Sequence, residues 1–147
     1  IGKSIIENPN LITSISKTFG NQSMVSIINL VNIENKFFIY DYLKKKIVSN
    51  IDVIDFIKIV QDYGSGEIVL HFVNNDGLCT GYDYEIINKL LRYIKVPVTF
   101  LGGLKDIDEI NYVVKNYGVT GIAGSSIFIF KGKFKSVLIN YPTNLLK

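Results

Sequence analysis

Four consecutive residues, Asn74, Asn75, Asp76 and Gly77, place two amides, a carboxylate and a backbone without a side chain where the apolar run Glu67 to Val73 gives out. A carboxylate at such a point can orient a substrate hydroxyl or move a proton, and a glycine lets its N–H approach an anion closely. The same residues also suit a plain loop whose carboxylate caps the following turn. Two further apolar runs end in the same way, VPVTFL in Gly102 and Gly103, and VTGIA in Gly124, Ser125 and Ser126. Gly102 and Gly103 can turn their amides, with the start of a helix behind them, toward a phosphate, or can simply make a tight turn. Two adjacent corners of this kind form the phosphate grip of β/α barrels, so a phosphorylated small-molecule substrate is expected.

His71 is the only histidine and Cys79 the only cysteine. A single histidine inside a strand reads as a packed or hydrogen-bonded residue rather than a metal ligand. Cys79 has no acid/base partner near it in sequence and reads as incidental. No metal and no cofactor are expected.

These polar points need strands to carry them. Glu67 to Val73 is apolar almost throughout, as in a strand buried on both faces of a parallel sheet. Met24 to Leu30, Pro97 to Leu101 and Val119 to Ala123 are the other strands, the first reaching its end at Asn29. Helical periodicity covers Asp52 to Tyr63, Tyr84 to Tyr93 behind an Asp83 N-cap, and Asp106 to Tyr117 ahead of Gly118, with a short turn at Ser125 to Phe128. Pro9, Ile12, Ile15, Phe19 and Gly20 outline an earlier helix. Residues 31–42, with a turn at Glu34, Asn35 and Lys36, read as a small hairpin inserted in a loop. Ile1 to Ser4 reads as the end of a strand, and the tail SVLINYPTNLLK as apolar enough to pack. The expected class is α/β, the C-terminal half of a (β/α)8 barrel with about four βα units. It forms one partial domain over residues 1–147, the N-terminal half-barrel missing, with its strand ends on one face. Its open sheet edges predict pairing with the absent half or self-association.

Composition narrows the partners. A chain of 147 residues with formal charge +3 has the core of one domain and no concentrated basic surface beyond Lys44, Lys45 and Lys46, which read as a solvated loop. Nucleic acid is therefore not expected. No run approaches the roughly 20 apolar residues of a membrane span, and no signal-peptide pattern opens the sequence, so a cytoplasmic protein without a membrane partner is expected. The first residue is not Met, which together with the truncated strand pattern suggests a C-terminal piece.

With these residues in view, GSGEIVLHFVNNDGLCTGYD, the IIENPNLI helix start and the Gly102-Gly103 pair make the chain resemble the cyclase subunit of imidazole glycerol phosphate synthase, a barrel fed with ammonia by a partner glutaminase subunit. The resemblance spans the whole chain. It implies a substrate and phosphate-binding set of Asn74, Gly77, Gly102, Gly103, Gly124, Ser125 and Ser126, and catalytic positions at Asn29 and Asp76. Asn29 stands where the family has an aspartate and cannot take a proton as a carboxylate does, leaving it to orient substrate by hydrogen bonds. Asn74 likewise replaces an aspartate. Glu67, at the start of its strand, matches a member of the family's ammonia gate. Leu101 before the glycine pair and the GSSIFIFKGKFKSVLINYP tail resemble the branch associated with acetamidino modification of surface sugars, which would add a sugar amidotransferase as a partner. Histidine-pathway cyclase, a non-catalytic ammonia-channelling scaffold and another phosphate-binding barrel such as a sugar-phosphate isomerase are the alternatives.

Overall fold

The computed structural model describes residues 2–131 and 136–139. Helices α1 (Lys3–Glu7) and α2 (Asn10–Phe19) open the chain, and β1 (Val25–Ile33), β2 (Lys36–Asp41) and β3 (Lys46–Val48) follow. Three helix and strand alternations come next: α3 (Val53–Asp62), β4 (Glu67–Phe72), α4 (Tyr84–Leu91), β5 (Val98–Leu101), α5 (Ile107–Tyr117) and β6 (Gly121–Ala123). The described chain ends with α6 (Ser126–Ile129), β7 (Phe130–Lys131) and β8 (Ser136–Val137). One six-stranded sheet runs in the order β3-β2-β1-β4-β5-β6. Its β1-β4-β5-β6 portion is parallel, in the register Asn29↔His71↔Leu101↔Ala123. The fold is thus α/β with a parallel core, as expected for part of a (β/α)8 barrel.

Capping explains where the helices start. The Asp52 carboxylate accepts from the amides of Ile54 (2.7 Å) and Asp55 (3.4 Å), Asp83 from Ile86 (3.2 Å), and Asp106 from Glu109 (2.9 Å). Each bond satisfies a donor that the first helical turn leaves unpaired. Behind the caps, Val53, Phe56, Ile57 and Val60 of α3, Ile87 and Leu90 of α4, and Val113 of α5 are buried. They pack with Ile28, Leu30, Ile68, Leu70, Phe72, Val98 and Phe100 from one face of the sheet.

The opposite face of the sheet is less covered. Ile27, Asn29, Val69, Thr99 and Leu101 are only partly buried, so β4 shows alternating burial along its first half although its sequence is apolar nearly throughout. The expectation of two buried faces therefore fails here, because the helices cover only one.

Three other expectations change. Residues 3–7 form α1 rather than continuing a strand: the Ile5 amide donates to Gly2 O, the Asn8 amide donates to Ser4 O, and Ile5 is fully buried. The 31–42 hairpin forms as read, with β1 running on through Ile33 to pair with β2 over Leu30–Ile33, while Lys46, expected in a solvated loop, joins a third strand. Lys44 is held by Glu7 (3.1 Å) and Asp41 (3.9 Å). In the tail, Val137, Leu138 and Ile139 are exposed instead of packed, and residues 140–147 lie outside the described ones. The edge strands β3 and β6 are three residues each, short enough to offer little template for edge pairing.

Because the two faces differ in cover, equal truncations should differ in cost. Ile28→Ala should lose about 2–5 kcal/mol and Ile27→Ala less than about half of that, read from urea unfolding midpoints and slopes.

Candidate functional site

The C-terminal ends of β4, β5 and β6 meet around a cleft of about 170 Å³. Asp76 and Gly77 line it from the loop after β4, Leu101, Gly102 and Gly103 from the end of β5, and Gly124, Ser125 and Ser126 from the step between β6 and α6. Cys79 also lines it. Seven of the residues singled out from sequence for substrate or phosphate contact or for catalysis therefore share one cavity. Drug-sized ligands occupy clefts of roughly 300–1,000 Å³, so this one fits the head of a ligand rather than a large whole.

Close backbone approach builds the cleft. Gly102 and Gly103 have φ of 84° and 96°, left-handed values that side chains disfavour. A Cβ on Gly102 would stand 2.9 Å from Phe72 O, 3.2 Å from His71 Cδ2 and 3.3 Å from Asp76 Cβ, and one on Gly103 would stand 2.7 Å from Asn75 Cβ. Nothing but hydrogen fits at either place. The Gly81 amide donates to Gly103 O at 2.8 Å, and Asn75 Nδ2 donates to Gly81 O (2.9 Å) and Thr80 Oγ1 (3.1 Å). The first bond stitches the β4 loop to the β5 loop, and the other two brace the β4 loop itself.

Glu109 anchors the same loops from beneath. Its buried carboxylate accepts from the Tyr82 amide (3.3 Å), the Tyr84 hydroxyl (2.5 Å) and the Lys105 amide (2.7 Å). Burial first, and the Glu109 carboxylate second, hold the Tyr84 hydroxyl protonated well above the ordinary phenol range. Sequence reasoning missed Glu109, whose role depends on contacts with two separate loops, and saw in Asn75 one of the polar residues at the strand exit without its bonds to Thr80 and Gly81. The local signal for Glu109 was an acidic residue in a first helical turn.

The helix after Gly103 has one of its first-turn amides already taken: α5 begins at Ile107, and the Asp106 carboxylate accepts from the Glu109 amide. An anion here is therefore left to loop amides, the Ser125 and Ser126 corner and the rim. Lys105 is part of that rim, lining a groove that shares Gly77, Cys79 and Ser126 with the cleft.

Asn29, Asn74 and Glu67 lie elsewhere. Asn29 does not line the cleft, and its Oδ1 lies 2.9 Å from His71 Nδ1. Asn74 is also set back, with Oδ1 accepting from the Asn32 amide at 2.6 Å and bracing the β1 end of the hairpin. Glu67 sits at the other end of β4 and accepts from Thr99 Oγ1 at 2.7 Å. His71 is buried and hydrogen-bonded, as a lone strand histidine should be, yet its Nε2 lies 3.4 Å from Asp76 Oδ2 and so reaches a cleft residue.

Gly103→Ala should force Asn75 away and open the stitch between the loops, costing about 1–3 kcal/mol, the usual scale for a strained left-handed residue. Loss of the Gly81 amide's hydrogen-exchange protection, with the strand amides still protected, would check it.

A family model described as "Histidine biosynthesis protein" matches residues 1–135. A Vibrio vulnificus (strain YJ016) protein provisionally named imidazole glycerol phosphate synthase subunit hisF3 is 39% identical over 147 residues, covering 97% of this chain and 55% of its own. A Leptospira interrogans protein, provisionally named imidazole glycerol phosphate synthase subunit HisF, is 37% identical over 93% of this chain and 54% of its own. The imidazole glycerol phosphate synthase subunit HisF of Dictyoglomus turgidum (strain DSM 6724 / Z-1310) is 33% identical over 88% of this chain and 51% of its own. The chain spans about half the length of the curated relatives it matches. By family model and by relatives alike, the chain belongs to the histidine biosynthesis protein family.

Proposed function

We propose that the chain is the phosphate-binding half of an ammonia-using synthase subunit of the imidazole glycerol phosphate synthase type, taking ammonia from a glutaminase subunit. The convergence of Asp76, Gly77, Gly102, Gly103, Gly124, Ser125 and Ser126 on one small cleft carries this reading. Backbone without side chains, two hydroxyls and the Lys105 rim suit a phosphate, and Asp76 suits an adjoining hydroxyl or a proton transfer. Glu67, at the far end of β4, would face ammonia arriving from the opposite mouth. Among the described residues no helix is long and apolar enough to cross a membrane. A cytoplasmic setting is part of this proposal, resting on the proposed small phosphosubstrate and glutaminase partner.

The substrate we favour belongs to the branch that serves acetamidino modification of surface sugars, with a sugar amidotransferase downstream. Leu101 supports this choice, because it gives the cleft an apolar wall where the resemblance puts a serine in histidine-pathway enzymes. A non-catalytic ammonia-channelling role is the second reading, favoured by the amide at Asn29 in place of a carboxylate.

Calorimetric titration with glycerol 3-phosphate and with glycerol tests the phosphate assignment. The phosphorylated probe should bind at least about tenfold more tightly, a difference of roughly 1.4 kcal/mol, and Gly77→Val should abolish that preference. Equal binding of the two probes, or an unchanged preference in Gly77→Val, would contradict it.

A further inference from the structure

The strand histidine does more than fill the core. Both of its ring nitrogens meet side chains from other positions in the chain: Nδ1 lies 2.9 Å from Asn29 Oδ1 on β1, and Nε2 lies 3.4 Å from Asp76 Oδ2 in the loop after β4. Tyr42, from the turn between β2 and β3, stacks on the ring with centroids 5.7 Å apart and planes within 5°. Gly102 closes over it from β5, where an added Cβ would meet His71 Cδ2 at 3.2 Å. Glu67 shares this strand but sits four residues away, engaged by Thr99. Among the described residues, the titratable side chains that the ring meets are Asp76 and Tyr42.

Proton counting defines what this arrangement can do. With Asn29 Oδ1 facing the ring, the amide oxygen has lone pairs and no proton, so the contact takes the proton on Nδ1, whereas an amide turned to present Nδ2 would leave the proton on Nε2 facing Asp76. In the Nδ1 tautomer Nε2 of the neutral ring is an acceptor, so a proton taken up between Nε2 and Oδ2 would join the ring to the carboxylate.

We propose that His71 is the proton-holding positioning residue of the cleft, with Asn29 fixing its tautomer and Asp76 exchanging the shared proton with substrate. This rests on the phosphosubstrate reading of the cleft and assigns the acid/base role that the amide at position 29 cannot fill. When Asp76 gives a proton to a substrate atom, the ring supplies it and is left neutral with its remaining proton on Nδ1. When Asp76 takes a proton, the ring becomes the cation. Asn29 never changes charge.

Because the chain has one histidine, a long-range proton–nitrogen correlation spectrum of the labelled protein shows a single imidazole. The neutral ring should carry its proton on Nδ1. Asn29→Leu, which removes the acceptor at Nδ1, should move the neutral ring's proton to Nε2, facing Asp76. Tyr42→Leu should leave the proton on Nδ1. A neutral wild-type ring protonated on Nε2, or an Nδ1 proton retained in Asn29→Leu, would overturn the proposal. If Asn29→Leu does not fold, judged by its amide spectrum, the wild-type tautomer decides the matter. All readings are taken without ligand, so their failure is separable from a failure of phosphate binding.

Discussion

The approach of the β5 loop to the β4 loop, closer than any side chain permits, is the constraint on which the site depends. At Gly102 and Gly103 the space for a Cβ is already filled by Phe72 O and by Asn75 Cβ. Left-handed backbone at both residues turns the chain sharply off β5, and the bond from the Gly81 amide to Gly103 O holds the two loops together. Conformational freedom and hydrogen bonding act together here: glycine makes the turn accessible, and the bond selects it from the many conformations glycine allows. The cleft is the space left between these loops and the β6 corner.

Support for that geometry comes from below, and it is polar where a core is normally apolar. Glu109 is 9% exposed, and its oxygens take two backbone amides and a tyrosine hydroxyl. Burying a carboxylate is costly unless its lone pairs are satisfied, so the loops must keep their places or leave the charge unpaired. Tyr84, Tyr112 and Tyr117 pack around this anchor with ring centroids 5.2–6.1 Å apart. The helix layer therefore fixes the loops, while the parallel sheet fixes the direction from which they emerge.

Much of this was legible in the residues. Apolar runs ending in Asp-Gly, Gly-Gly and Gly-Ser-Ser announced strand ends with small polar corners, and Asp83 and Gly118 marked helix ends, because such signals are local. Contacts between distant segments were not legible. Nothing near Asn29 in sequence says that its amide meets His71, 42 residues away, and nothing near Asn74 says that it braces Asn32. The start of α5 was legible to within a residue because Asp106 is a local cap signal, whereas the Gly-Gly pair did not show that Leu104 and Lys105 separate it from that cap. Ile1 to Ser4 misled because so short a stretch carries no periodicity of its own, and Lys3 and Ser4 belong to the five-residue helix α1.

The central claim is that three loops, emerging side by side from parallel strands, form one cradle for an oxyanion. The most direct measurement is a crystal structure of the chain grown with saturating glycerol 3-phosphate. The account predicts the phosphate between the β4, β5 and β6 loops, with its oxygens about 2.7–3.2 Å from donors at Gly77, Gly103 and Ser126. A phosphate bound elsewhere on the chain with this cleft empty would contradict it.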